Sequence, residues 1–257
     1  MSAAVSLAPR PVAPGDILFG CGPIQEVLQY PGQPVAPVTQ EQVDSCIHAA
    51  LEAGIVDFDT APLYGDSEDR LGHALAASPL ADKALIYTKA GKLVRRICGN
   101  RQIALLGPQP WSPWAVPVEE RCLLPDFSAA GAKKSYTESC ERMGVSTIHT
   151  LRIHDPDSIE GAWQQAVAPD GLIAGIAQLK ADGLITDVSL GMNANAGHQV
   201  VTPGAGGVET TAWTPDIIID LIHAVPANTF DSALLAYASL PPPPPPPPPL
   251  PPLPPLP

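Results

Sequence analysis

Residues 54–75 read GIVDFDTAPLYGDSEDRLGHAL, and the fold can be read outward from this stretch. Ile55 to Asp59 has the length and apolar character of a short strand, and it ends on a carboxylate. A turn follows, holding Pro62, Tyr64 and Gly65. Ser67 with Glu68 and Asp69 then starts a helix, with the two carboxylates at its positive end. Leu71, Ala74 and Leu75 give that helix a buried stripe. On the N-terminal side, Thr39 and Gln42 fit a capping box that opens another helix. Val43, Ile47, Ala50 and Leu51 fall on one of its faces, and Gly54 sits where a left-handed residue would end it.

The same alternation continues in both directions. Residues 17–21 (ILFGC) read as a first strand and Leu85 to Thr88 as a third. Residues 92–127 look irregular, with Trp111, Trp114 and several prolines, and read as a loop or small excursion. A helix over 128–143 leads to a strand at 148–153. A helix over 173–180 ends near Gly183 and leads to a strand at 185–190. A Gly-rich insertion at 204–207 precedes a helix near 216–224 and a last strand near 232–237. Six β-α-type units in strict alternation imply a parallel sheet with right-handed crossovers. Both an open doubly wound sheet and a (β/α)8 barrel satisfy that pattern. The open sheet would want a Gly-rich phosphate turn after the first strand, and Gly20-Cys21-Gly22-Pro23 lacks the GxxG continuation. The barrel is therefore the favoured architecture.

Composition narrows the partners. The chain has 257 residues and a formal net charge of -12, which argues against nucleic acid or an anionic membrane as the main partner. No apolar stretch approaches the roughly 18 residues of a membrane span. The five cysteines contain no CxxC pair and read as reduced thiols, and with no secretory signal at the N-terminus the expected location is the cytosol. No metal site is expected. Nine consecutive prolines begin at Pro241, and the last seventeen residues are only proline and leucine. Proline lacks the backbone donor, so 241–257 should be a disordered, extended polyproline tail. The expected organisation is a flexible N-terminus over 1–14, one domain over 15–240, and that tail.

The candidate chemistry lies at strand ends. Asp59, Lys89 and His154 end the second, third and fourth expected strands, and Tyr64 lies five residues past Asp59. In a parallel barrel these positions open onto one face, where active sites form. Such groups tolerate burial only when paired, and the natural pair is Asp59 with Lys89. The Lys89 ammonium would then sit near the Tyr64 phenol and favour its ionised form. A phenol tuned this way gives a proton to a carbonyl oxygen or takes one from an alcohol.

The 54–75 stretch closely resembles the aldo-keto reductase signature around the catalytic Asp and Tyr. YTKAG (87–91) resembles that family's lysine strand, and LRIHDPDS (151–158) its histidine strand. LPDFSAAGAKKSYTESCERMG (124–144) and LKADGLITDVSLGMNAN (179–195) resemble the galactose and threo-aldose 1-dehydrogenase branch. The resemblance covers about residues 15–240. It implies a (β/α)8 barrel with NADP or NAD across its mouth and a small sugar or carbonyl compound as substrate. It also implies Tyr64 as general acid/base, Lys89 and Asp59 as its tuners, and His154 as the residue orienting the substrate oxygen. Gly20, Cys21 and Gly22 match the first-strand turn close to the cofactor, and Asn193 the position holding the nicotinamide carboxamide. In the sugar-oxidising direction the product would be a lactone.

The family has eight strands and this sequence offers six, so the barrel is expected to be incomplete, without the loops after strands seven and eight that grip phosphate in barrels generally. Two further readings stay open: a catalytically impaired fragment, and a non-enzymatic protein whose proline tail docks a polyproline-binding domain.

Overall fold

The computed structural model describes residues 13–25, 37–96, 121–193, 199–200, 209–210 and 222–236. Its strands are β1 (Leu18–Gly20), β2 (Asp57–Asp59), β3 (Leu85–Ala90), β4 (Lys92–Arg96), β5 (Arg121–Pro125), β6 (Ile148–His154), β7 (Ile185–Asn193), β8 (Gln199–Val200), β9 (Glu209–Thr210) and β10 (Ser232–Ala236). Its α-helices are α1 (Gln40–Glu52), α2 (Ser67–Ala76), α3 (Ala129–Met143), α4 (Ala162–Val167) and α5 (Leu172–Ala181).

Among the described residues one sheet carries six strands, in the order β1-β2-β3-β6-β7-β10, and every neighbouring pair is parallel. The order never reverses, so the switch point of a doubly wound sheet is missing. Right-handed crossovers between sequential parallel strands put all the helices on one face. The architecture is that of an incomplete (β/α)8 barrel, and of the two sheets the pattern allowed, this is the one the chain adopts.

The residue alternation explains both faces. Phe58, Ile86, Leu151, Ile153, Val188 and Leu190 point one way and are buried with Leu71, Ala74, Ala132, Ile176 and Leu179 of the helices. Asp59, Lys89, Arg152, His154 and Ser189 alternate with them and line the other, concave face. The layer between strands and helices is therefore apolar, while the concave face is polar and held by ion pairs.

Local chemistry sets several boundaries as expected. The Thr39 hydroxyl accepts from the Gln42 N–H, and the Gln42 side chain accepts from the Thr39 N–H at 2.9 Å. Gly54 follows α1 with a positive φ of 82°. Ser128 caps α3, accepting from the Gly131 N–H at 3.1 Å.

α2 begins at Ser67 as expected, with Glu68 and Asp69 in its first turn and Asp66 in the cap position. The Ser67 hydroxyl donates to the Cys21 carbonyl at 2.7 Å, tying α2 to the end of β1. One expectation needs correction. The 92–127 excursion is not irregular at its ends, because β4 and β5 pair as antiparallel strands from Lys92↔Pro125 to Arg96↔Arg121. Gly91 makes that possible: its φ is +100°, and a Cβ there would come within 2.6 Å of the fully buried Phe127 ring. The short α4 was not anticipated. Residues 1–12 of the expected flexible N-terminus, Trp111, Trp114, the 204–207 insertion, most of the 216–224 helix and the 241–257 tail lie outside the described residues.

Candidate active site

Each strand of the sheet delivers its carboxyl end to the same rim. Gly20 ends β1, Asp59 ends β2, Lys89 is the penultimate residue of β3, and His154 and Asn193 end β6 and β7. The structure brings Asp59, Tyr64, Lys89 and His154 together. Lys89 Nζ donates to Asp59 Oδ2 at 2.7 Å and to the Thr60 carbonyl at 2.7 Å. The same ammonium lies 4.6 Å from the centroid of the Tyr64 ring and interacts with its hydroxyl. The Tyr64 and His154 rings meet edge to face with centroids 6.1 Å apart.

Electrostatics follow from that packing. Burial alone would push the Lys89 ammonium down, but the Asp59 carboxylate and the Tyr64 hydroxyl outweigh it and hold Lys89 above its ordinary range. The lysine is therefore a fixed cation facing the phenol. His154 behaves oppositely: burial first, then the Lys92 ammonium, holds its imidazole well below the usual range. It is neutral at physiological pH. Its Nδ1 is buried and has no hydrogen-bond partner among the described residues.

The expected cofactor turn abuts this cluster. The Cys21 N–H donates to the Asp59 carbonyl at 2.8 Å, so β1 and β2 end together. Gly20 is exposed, and a Cβ there would meet nothing within 4 Å among the described residues. Gly22 is buried and its carbonyl accepts from Gln25 Nε2 at 3.1 Å. Cys21 is fully buried, and burial pushes its thiol far above the range of a reactive cysteine. Cys21 thus shapes the turn through its backbone. Asn193 lies at the end of β7, and its side chain falls outside the described residues. Among the described residues no group of His, Cys, Asp and Glu could hold a metal ion, and no helix is long and apolar enough to cross a membrane.

Residues 28–205 match the Aldo/keto reductase family. The chain belongs to the aldo/keto reductase family. It is 29% identical over 214 residues to the D-threo-aldose 1-dehydrogenase of a Pseudomonas species, an alignment covering 77% of this chain and 63% of that one. It is 32% identical over 168 residues to the pyridoxal 4-dehydrogenase of Microbacterium luteolum, covering 62% of this chain and 48% of that one. The glycerol dehydrogenase of Gluconobacter oxydans aligns in three dimensions with a TM-score of 0.48 at 23% identity, covering 81% of this chain and 48% of that one. The chain thus spans about half to five eighths of the length of these proteins.

This aldo/keto reductase also carries site residues that the sequence reading did not single out. Arg152, on β6 two residues before His154, donates from Nε to Asp59 Oδ1 at 3.0 Å and from Nη1 to Ser189. The Asp59 carboxylate is therefore gripped at both oxygens by buried cations. Lys92, 2% exposed, donates to Asp155 Oδ2 at 3.2 Å, and the same oxygen lies 3.5 Å from His154 Nε2. Period-two alternation could have found Arg152, because it shares a strand face with His154. Lys92 carried no comparable signal, since its position depends on the β4–β5 pairing.

Proposed function

We propose that this protein is an NAD(P)-dependent oxidoreductase that oxidises an aldose at C1 to a lactone, or interconverts a small alcohol and carbonyl compound. The observation that carries this reading is the buried Asp59–Lys89 pair with its ammonium against the half-buried Tyr64 ring, beside a neutral His154. When bound, a nicotinamide dinucleotide supplies the site of hydride exchange.

The chain's own residues supply the proton chemistry. Tyr64 takes the proton from the anomeric hydroxyl during oxidation and returns it to the carbonyl oxygen during reduction. Negative charge on the phenolic oxygen is met by the Lys89 ammonium, which Asp59 and the Thr60 carbonyl hold in place. Arg152 holds the Asp59 carboxylate in orientation from its far side. His154 orients the substrate beside Tyr64. The rim fits a nicotinamide at Gly20, where a Cβ would meet nothing within 4 Å among the described residues. Gly20, Cys21 and Gly22 would border the cofactor, with Asn193 holding its carboxamide. The threo-aldose dehydrogenase relative favours a sugar as substrate, and the pyridoxal dehydrogenase relative keeps small aldehydes on the panel.

The test is direct. NADPH and NADH are titrated into the full chain while nucleotide fluorescence is followed, and turnover is measured with a panel of aldoses and aldehydes. Saturable quenching with turnover of at least one panel member is expected. Quenching by neither nucleotide overturns the proposal.

A further inference from the structure

Tyr64 stands on a loop rather than a strand, so the sheet alone does not fix it. The loop, residues 60–66, joins β2 to α2. Buried side chains fasten both of its ends: Thr60, Ser67, Glu68 and Thr88 are each 2% exposed or less. The Ser67 hydroxyl gives its one proton to the Cys21 carbonyl, so it accepts from the Thr60 hydroxyl, 3.0 Å away. That bond closes the loop at its base. The Thr60 carbonyl in turn accepts from Lys89 Nζ at 2.7 Å. One residue past Ser67, Glu68 turns inward. Its Oε1 accepts from the Thr88 hydroxyl at 2.6 Å and its Oε2 from Arg142 Nε at 2.6 Å. Thr88 directly precedes Lys89 on β3.

We propose that the Thr60–Ser67 and Glu68–Thr88 hydrogen bonds are a buried double clasp that sets Tyr64 over the Lys89 ammonium, which makes these four side chains positioning residues for proton transfer at Tyr64. This rests on the oxidoreductase reading above. Within the loop the Tyr64 N–H donates to the Ala61 carbonyl at 3.0 Å, and the Tyr64 carbonyl accepts from the Ser67 N–H at 2.9 Å. A shift of the first turn of α2 therefore reaches Tyr64 through one backbone bond. Lys89 is tied to the same bonds, through the Thr60 carbonyl and through Thr88 beside it. Both sides of the 4.6 Å contact between ammonium and ring thus refer to one clasp.

Packing and energetics agree with a role in register. Gly72 lets the α2 backbone lie directly on the end of α3, where a Cβ would come within 2.3 Å of the Met143 carbonyl oxygen. The layer between strands and helices is otherwise apolar around Glu68. Apolar residues in place of a buried ion pair are often neutral or stabilising, whereas a buried ionic group can specify one register. A carboxylate that accepts from β3 and α3 at once has few allowed placements. Glu68 therefore fixes where the first turn of α2 stands on β3.

Thr60→Val and Thr88→Val keep the branched shape and remove one donor each, leaving the Ser67–Cys21 and Glu68–Arg142 bonds in place. Carbon-13 labelling of tyrosine in the full chain reads Tyr64 without turnover, its ring signals assigned by their loss in Tyr64→Phe. Each valine variant should displace or split the Tyr64 signals, and Thr88→Ser should restore the wild-type spectrum. In turnover each valine variant should lose at least about tenfold in kcat, since misplacing a reacting group by about 1 Å can cost about a hundredfold. Nucleotide affinity and KM should hold, and Thr88→Ser should recover kcat. Valine variants that melt earlier yet keep the wild-type Tyr64 signals and kcat overturn the proposal. Loss of cooperative unfolding in both valine variants also overturns it, because the bonds would then hold up the fold itself. Absence of turnover in the wild type overturns the oxidoreductase reading, while the Tyr64 signals still decide whether the clasp sets the ring.

Discussion

Replacing Asp59 by Asn should destabilise the chain more than replacing Lys89 by Met, although the two residues share one ion pair. Asp59 serves two buried cations, Lys89 at 2.7 Å and Arg152 at 3.0 Å. Asp59→Asn strands both, and removing one partner of a buried pair costs about 3–5 kcal/mol. Releasing the Lys89 proton at pH 7 would cost about 4.6 kcal/mol from an unperturbed value near 10.4, which limits the penalty that lysine contributes. Lys89→Met leaves Asp59 paired with Arg152 and loses the donors to Asp59 and the Thr60 carbonyl, a cost of about 1–3 kcal/mol. The double variant should recover part of the Asp59→Asn loss, because the stranded ammonium is gone. Urea denaturation of the four proteins measures this. A Lys89→Met loss equal to or larger than that of Asp59→Asn would refute the reasoning.

Three further predictions concern the backbone and the alkaline limb. Gly91→Ala should cost about 1–3 kcal/mol, since a Cβ would meet the buried Phe127 ring at 2.6 Å from a positive-φ backbone. Gly20→Ala should leave the melting temperature unchanged, because its Cβ meets nothing within 4 Å among the described residues, yet weaken nucleotide binding in a fluorescence titration. Burial and the Asp57 carboxylate push Tyr87 up to about 12, and burial with the neighbouring Cys140 does the same for Tyr136. Above about pH 10 the unfolded chain releases phenolic protons that the fold retains, so stability falls as pH rises toward 12. Tyrosinate absorbance of the folded chain should show both groups titrating late, and Tyr87→Phe should flatten the decline.

Much of the architecture was legible because its causes are local. The Thr39–Gln42 box, the Ser128 cap and the glycine after α1 act within a few residues, so they appear in the sequence as they do in the structure. The rim cluster was legible for a different reason: parallel strands put their ends on one side, so Asp59, Lys89 and His154 follow from topology alone. The β4–β5 hairpin was not legible. Its two strands are far apart in sequence, basic residues dominate their outer ends, and the Gly91 turn against Phe127 helps set their meeting. Lys92 inherits that invisibility, and Arg152 gains its role from the sheet register, which places it opposite Lys89. Ser67 starts α2 as its sequence suggests, yet its hydroxyl answers the Cys21 carbonyl just past β1, a contact that no local pattern reveals.

The central claim is that Tyr64 moves the proton in a nicotinamide-dependent redox reaction, and one comparison tests it most directly. Initial rates of nucleotide reduction are measured for wild type and Tyr64→Phe with the best aldose of the panel, at matched cooperative unfolding. Loss of at least about a hundredfold in kcat is predicted, the usual scale of a positioned acid/base group. A Tyr64→Phe protein that unfolds like wild type and turns over at a comparable rate would contradict it.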